Sequence, residues 1–182
     1  MKFDSRDLAL TAVFAALYVI INFAEAFFVG SPVFTYGPVQ LRLADCLIAL
    51  AALFGWPLVG GVTLGCVLTN AYPFTSAPDL ILGPIANLVA ASLVLFLRKR
   101  RLLACVVGAL PIGVIVGGYL WLFFPPPDAL SFLPAWAGMI VSITISSLIA
   151  VAVIGYALLL VLSRKGIIEP LKSRGLKVVE EK

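Results

Sequence analysis

The residues of this chain with chemistry to offer are Glu25, Arg42, Asp45 and Asp79, together with Gln40, Asn70 and Asn87. All but Glu25 fall between Tyr36 and Asn87, inside a sequence built mostly of leucine, valine, alanine and phenylalanine. A polar group carried into such surroundings is costly unless it is paired. Glu25, Asp45 and Asp79 set three carboxylates against the single arginine, Arg42. That surplus suits a ligand bearing positive charge or several N–H donors, and the amides of Gln40, Asn70 and Asn87 suit the edge of a heterocycle. Tyr36, Tyr72, Phe74 and Trp136 are placed to stack on a flat ring or to serve as an interfacial aromatic belt. Plainer roles compete for the polar residues. Arg42 and Asp45 suffice to neutralise each other, Glu25 and Asp79 to snorkel, Asp79 to cap a helix, and Asn87 to bond between helices.

The elements that must position these groups are membrane spans. Of 182 residues, 62% are hydrophobic and 12% charged, more apolar side chain than an aqueous domain of this size buries. The expected architecture is an all-α integral membrane protein in one domain, residues 1–182. It is a six-transmembrane-helix bundle whose outer loops cover a solute-binding recess, with both termini cytoplasmic. Spans are expected at 8–29, 39–53, 57–71, 79–97, 102–124 and 133–162, with 163–182 a cytoplasmic basic tail. Phe54-Gly55-Trp56-Pro57 divides the second span from the third, and Pro111 is expected to break the fifth. The last span is longer than a bilayer requires and is expected to tilt or project. Spans two and three are short, about 22 Å each at 1.5 Å per residue, and so leave a recess or form a re-entrant hairpin.

Orientation follows from the basic residues. With six spans and both ends inside, every lysine and arginine except Arg42 lies on the cytoplasmic side, including the run Arg98-Lys99-Arg100-Arg101. A cleaved leader ending at Ala24-Glu25-Ala26 is the competing reading of the first span, opposed by Asp4 and Asp7 in what should be a basic start. In the six-span arrangement Glu25, Gln40, Arg42, Asp45, Asn70 and Asp79 fall at one depth. Arg42 and Asp45 share a helix face, and Asp79, Gly83 and Asn87 carry the polar stripe about 12 Å inward. Small residues one turn apart, Ala12 with Ala16, Gly61 with Gly65 and Gly113 with Gly117, mark close helix packing.

Several functions are excluded or disfavoured. There is no histidine, which removes Ser-His and Cys-His catalysis and histidine-bound metals, and no P-loop motif, so no ATP is bound that way. Cys46, Cys66 and Cys105 lack metal-ligand spacing and read as packing residues. The net charge of +4 follows the membrane rule and calls for no nucleic acid. An aspartyl-type intramembrane enzyme using Asp45 and Asp79 is a remote alternative, and the chain is read as no enzyme.

At these residues the sequence resembles the QueT family of queuosine-precursor transporters, substrate-binding S components of energy-coupling factor (ECF) transporters. The resemblance is carried by Tyr36-Gly37-Pro38-Val39-Gln40-Leu41-Arg42-Leu43-Ala44-Asp45, by Gly65-Cys66-Val67-Leu68-Thr69-Asn70 and by Asp79-Leu80-Ile81-Leu82-Gly83. Asp45 stands where the family usually has glutamate, one methylene longer. The resemblance implies a six-helix protein of a prokaryotic plasma membrane that captures a deazaguanine or similar vitamin-like solute. Glu25, Tyr36, Gln40, Arg42, Asp45, Asn70, Asp79 and Asn87 would bind it. It also implies an ECF transmembrane coupling protein and two ATPase subunits as partners, with Ala12 and Ala16 on the docking helix. ATP would then be consumed by the partners and no cofactor held by this chain. A stand-alone ion-coupled carrier and an S component for another vitamin are the alternatives.

Overall fold

A computed structural model describes residues 4–29, 41–71, 77–173 and 178. Its elements are α1 (Ser5–Val29), α2 (Leu43–Phe54), α3 (Trp56–Ala71), α4 (Ala77–Phe96), α5 (Arg101–Leu120), α6 (Ala135–Leu162) and α7 (Lys165–Ser173), and the described residues contain no strand. Helices α1, α4, α5 and α6 are long and apolar enough to cross a membrane, whereas α2 and α3 are shorter. Calls on Tyr36, Gln40, Tyr72 and Phe74 lie outside the described residues.

The fold is an arc around α2. Along the arc, α1 packs on α3, α3 on α4, α4 on α5 and α5 on α6, while α2 touches each of these helices. Residues Ala44 to Ala51 are all buried, as expected for a helix that is apolar on every side. Eight residues of α2, Leu43–Leu50, are wound as a 3-10 helix, longer than such stretches usually run. Against them lies an eight-residue π-helical stretch of α6, Leu148–Gly155. There Gly155 is in such close contact that a Cβ would sit 2.7 Å from the Cys46 carbonyl oxygen.

Glycines set the other close approaches. At Gly61 and Gly65 an added Cβ would meet the Cβ atoms of Phe14 and Tyr18, each at 2.7 Å, so the bare backbone of α3 lies against α1. Gly113 and Gly117 of α5 receive Thr144 and Ile140 of α6 in the same way. Gly55, at φ 69°, takes the left-handed turn that ends α2, and its N–H bonds the Ala51 carbonyl at 3.0 Å.

Three expectations need correction. Helix α5 runs unbroken through Pro111 and stops at Leu120, because one missing N–H is tolerated where neighbouring helices hold the segment. Helix α2 starts at Leu43, and Arg42 precedes it with extended backbone (φ −82°, ψ 102°). Arg42 and Asp45 therefore do not share a helix face. Within the expected tail α7 forms, and Ile168 packs on the core. Finally, Ala12 and Ala16 are exposed on α1, so close packing inside the bundle does not account for them.

Candidate solute-binding site

The site begins where α2 begins. A helix start leaves N–H groups without partners, and here the carboxylate of Glu25, reaching over from α1, accepts the Leu43 N–H at 2.9 Å. This cap brings α1 and the Arg42 segment together and draws Arg42 inward. Its side chain is 6% exposed and pairs with Asp79 of α4, Nη2 to Oδ2 3.3 Å. Arg42 Nη1 also stands 3.8 Å from the Cys66 sulfur of α3.

Asp79 is held from several sides. Besides Arg42, its carboxylate accepts from the Tyr119 hydroxyl of α5, and its backbone carbonyl accepts from Asn70 Nδ2 of α3 at 2.8 Å. Asn70 Nδ2 lies 3.6 Å from the same Cys66 sulfur. Thus α3, α4, α5 and the lead-in to α2 meet at one buried ion pair. Removing two charges from water is costly, and only such surrounding hydrogen bonds offset it.

A second group lies alongside. Tyr18 of α1 donates to Asp45 Oδ1 of α2 at 2.7 Å and accepts from Asn87 Nδ2 of α4 at 2.9 Å. Asn22, one turn on, bonds the Tyr18 carbonyl at 3.0 Å. The Cys66 sulfur lies within electrostatic reach of Arg42, Asp45, Asp79 and Tyr18, so the two groups form one polar cluster.

Glu25, Arg42, Asp45, Asn70, Asp79 and Asn87 are thus all buried in this cluster or at its edge. The partner of Arg42 differs from the expected one: the salt bridge goes to Asp79, and Asp45 takes the tyrosine instead. Asp79 and Glu25 are 2% and 7% exposed, which rules out snorkelling for either. Trp136 is 55% exposed and stands apart from the cluster.

Three participants went unnoticed in the sequence. Tyr18 sits four and seven residues before Asn22 and Glu25, hence on their helix face, a legible signal. Cys66 precedes Asn70 by four, the same signal, and its packing role is here joined by contacts to Arg42 and Asn70. Tyr119 follows a purely apolar run and carried none.

A crevice of about 310 Å³ runs between α6 and the segment before it, lined by Leu41, Pro127, Leu130, Ser142, Ile145 and Ser146 among others. The hollow is mostly apolar, and its link to the charged groups is through the backbone, since Leu41 directly precedes Arg42. Its size is at the lower end for a small-molecule site.

One guanidinium amid three carboxyl groups, flanked by amides, tyrosines and an apolar hollow, is suited to holding a small polar solute within a membrane. No curated protein and no solved structure matches the chain. A family model described as QueT transporter does match, over residues 8–164, a range that takes in every described member of the cluster. With its long apolar helices, the chain is a multi-pass membrane protein and belongs to the QueT transporter family.

Proposed function

We propose that this chain is the substrate-binding S component of an ECF-type transporter, importing a queuosine precursor of the deazaguanine class. The observation that carries the reading is the buried cluster of Arg42, Asp45, Asn70, Asp79 and Asn87. Excess carboxylate beside amides matches a solute with a donor-rich, guanine-like edge, and a cationic side arm would suit the remaining negative charge. Glu25, Tyr36 and Gln40 complete the proposed binding set, with the crevice beside Leu41 as its apolar wall.

The proposed topology is six spans with both ends cytoplasmic, in the plasma membrane of a prokaryote. In this reading α2 and α3 are the second and third spans, short because they shape the recess. Energy comes from partners, since the chain has no P-loop. The exposed face of α1, with Ala12 and Ala16 among Leu8, Val13 and Ile20, is the proposed seat of the coupling protein, and two ATPase subunits act through it.

The test is calorimetry on the purified chain with deazaguanine queuosine precursors beside guanine, thiamine and riboflavin. Submicromolar binding of a deazaguanine, together with ATP-dependent uptake only when coupling protein and ATPases are present, is the expected result. Tight binding of another vitamin would replace the substrate and keep the S-component role. Uptake driven by an ion gradient without partners would overturn that role.

A further inference from the structure

Asn70 lies one residue from the end of α3 and is 1% exposed. Its Nδ2 donates to the Asp79 carbonyl oxygen at 2.8 Å. A backbone carbonyl only accepts, so this bond fixes which way round the amide lies. The other end of the amide, Oδ1, is buried and has no hydrogen-bond partner. Among the described residues no other buried side-chain nitrogen or oxygen is left in that state. Buried polar atoms are so regularly bonded that each exception asks for a reason.

The amide is also held in place. Gly83 of α4 lies so close that a Cβ on it would fall 2.6 Å from Asn70 Nδ2, which bars any side chain there from sharing the space. The acceptor is therefore built into a rigid junction of α3 and α4, at the Arg42–Asp79 ion pair and not in a solvated loop. A pre-placed acceptor of this kind binds a donor without paying for its own ordering.

We infer that Asn70 Oδ1 is a specificity element of the solute site, accepting a hydrogen bond from a neutral exocyclic amino group of the transported base. The inference rests on the deazaguanine reading above and assigns one contact within it. Two features select that donor. Oδ1 is buried and not on an open surface, so the donor assigned to it is a group that projects from a ring and not an N–H within the ring edge. Arg42 and Asp79 beside Asn70 already neutralise each other, so an uncharged amine suits this position and any cationic arm of the solute belongs elsewhere in the cluster. A base with hydrogen at this position leaves Oδ1 unpaired, and one with a carbonyl there sets two acceptors against each other.

The experiment is calorimetry of the full chain with 7-deazaguanine and 7-deazahypoxanthine, which differ by that amino group alone, for wild type, Asn70→Leu and Asn70→Asp. Wild type should prefer 7-deazaguanine by at least about tenfold, equivalent to about 1.4 kcal/mol. In Asn70→Leu the ratio should fall towards one, and Asn70→Asp, which keeps an acceptor, should retain a preference. A wild-type ratio near one overturns the inference, as does an undiminished ratio in folded Asn70→Leu. If Asn70→Leu does not fold, the wild-type ratio and Asn70→Asp decide it. Should wild type bind neither base yet bind another vitamin-like solute, the deazaguanine reading itself fails, a result distinct from binding both bases equally.

Discussion

The hydroxyl of Tyr18 on α1 donates to Oδ1 of Asp45 on α2 at 2.7 Å, across 27 residues of sequence. The same hydroxyl accepts from Asn87 on α4, so one oxygen ties three helices together at a fully buried point. Tyr18→Phe removes that oxygen with almost no change of shape. It takes one partner from each of Asp45 and Asn87, which still face each other, at a cost of about 1 kcal/mol for a lost buried hydrogen bond. The expected outcome is a lower Tm in detergent and weaker solute binding. A variant with wild-type Tm and affinity would mean that both side chains find other partners.

How far this site could be read from sequence depended on which forces placed each residue. Lengths of apolar sequence reveal α1, α4 and α6, because a bilayer demands an uninterrupted apolar run. Asp79 and Asn87 were legible as a stripe on one helix, since both lie on regular turns of α4. The partner of Arg42 was not. Local spacing pairs it with Asp45, but the Glu25 cap starts α2 one residue after Arg42, and the freed side chain turns to Asp79, 37 residues away. The 3-10 winding of α2 and the π-helical stretch of α6 were equally hidden. They lie where the enclosed α2 meets α6, a tertiary contact with no local sequence mark.

The Arg42–Asp79 pair permits a test that separates a ligand clamp from a structural brace. Removing one member strands a buried charge, so Arg42→Met or Asp79→Leu alone should cost about 3–5 kcal/mol. In the double variant no charge is stranded, and stability should recover in large part. If the pair is a ligand clamp, solute binding should stay lost in the double variant. Recovery of binding along with stability would assign the pair a purely structural role. Thermal unfolding and calorimetry on the same samples read both quantities.

Two neighbouring glycines of α3 are expected to behave differently. At Gly65 a Cβ would lie 2.7 Å from Tyr18 Cβ and 3.0 Å from the Ala15 carbonyl, with backbone that cannot give way. Gly65→Ala should therefore separate α1 from α3, cost about 1–3 kcal/mol, and shift Tyr18 off Asp45, weakening binding as well. At Gly60 the nearest atom to such a Cβ is Thr11 Cγ2 at 3.4 Å, an ordinary contact. Gly60→Ala should be close to neutral in Tm and in affinity. Equal effects at the two positions would show that the α1–α3 approach is softer than these distances imply.

On the proposed role, the two faces of α1 divide binding from coupling. Phe14, Ala15, Tyr18, Asn22 and Glu25 look into the bundle, and Ala12, Val13, Ala16, Leu17 and Ile20 look out of it. Small residues on an outward face leave a shallow groove in which another helix can approach closely. Ala12→Trp and Ala16→Trp fill that groove without touching the buried cluster. On the proposed role, each variant should keep the Tm and solute affinity of wild type, lose co-purification with the coupling protein and ATPases, and lose most ATP-dependent uptake. Uptake at wild-type rates in both variants would move the docking surface elsewhere on the bundle. A loss of affinity in the isolated chain would instead show that the outer face of α1 communicates with the Tyr18–Asp45 bond on its inner face, and that binding and docking are not separable along this helix.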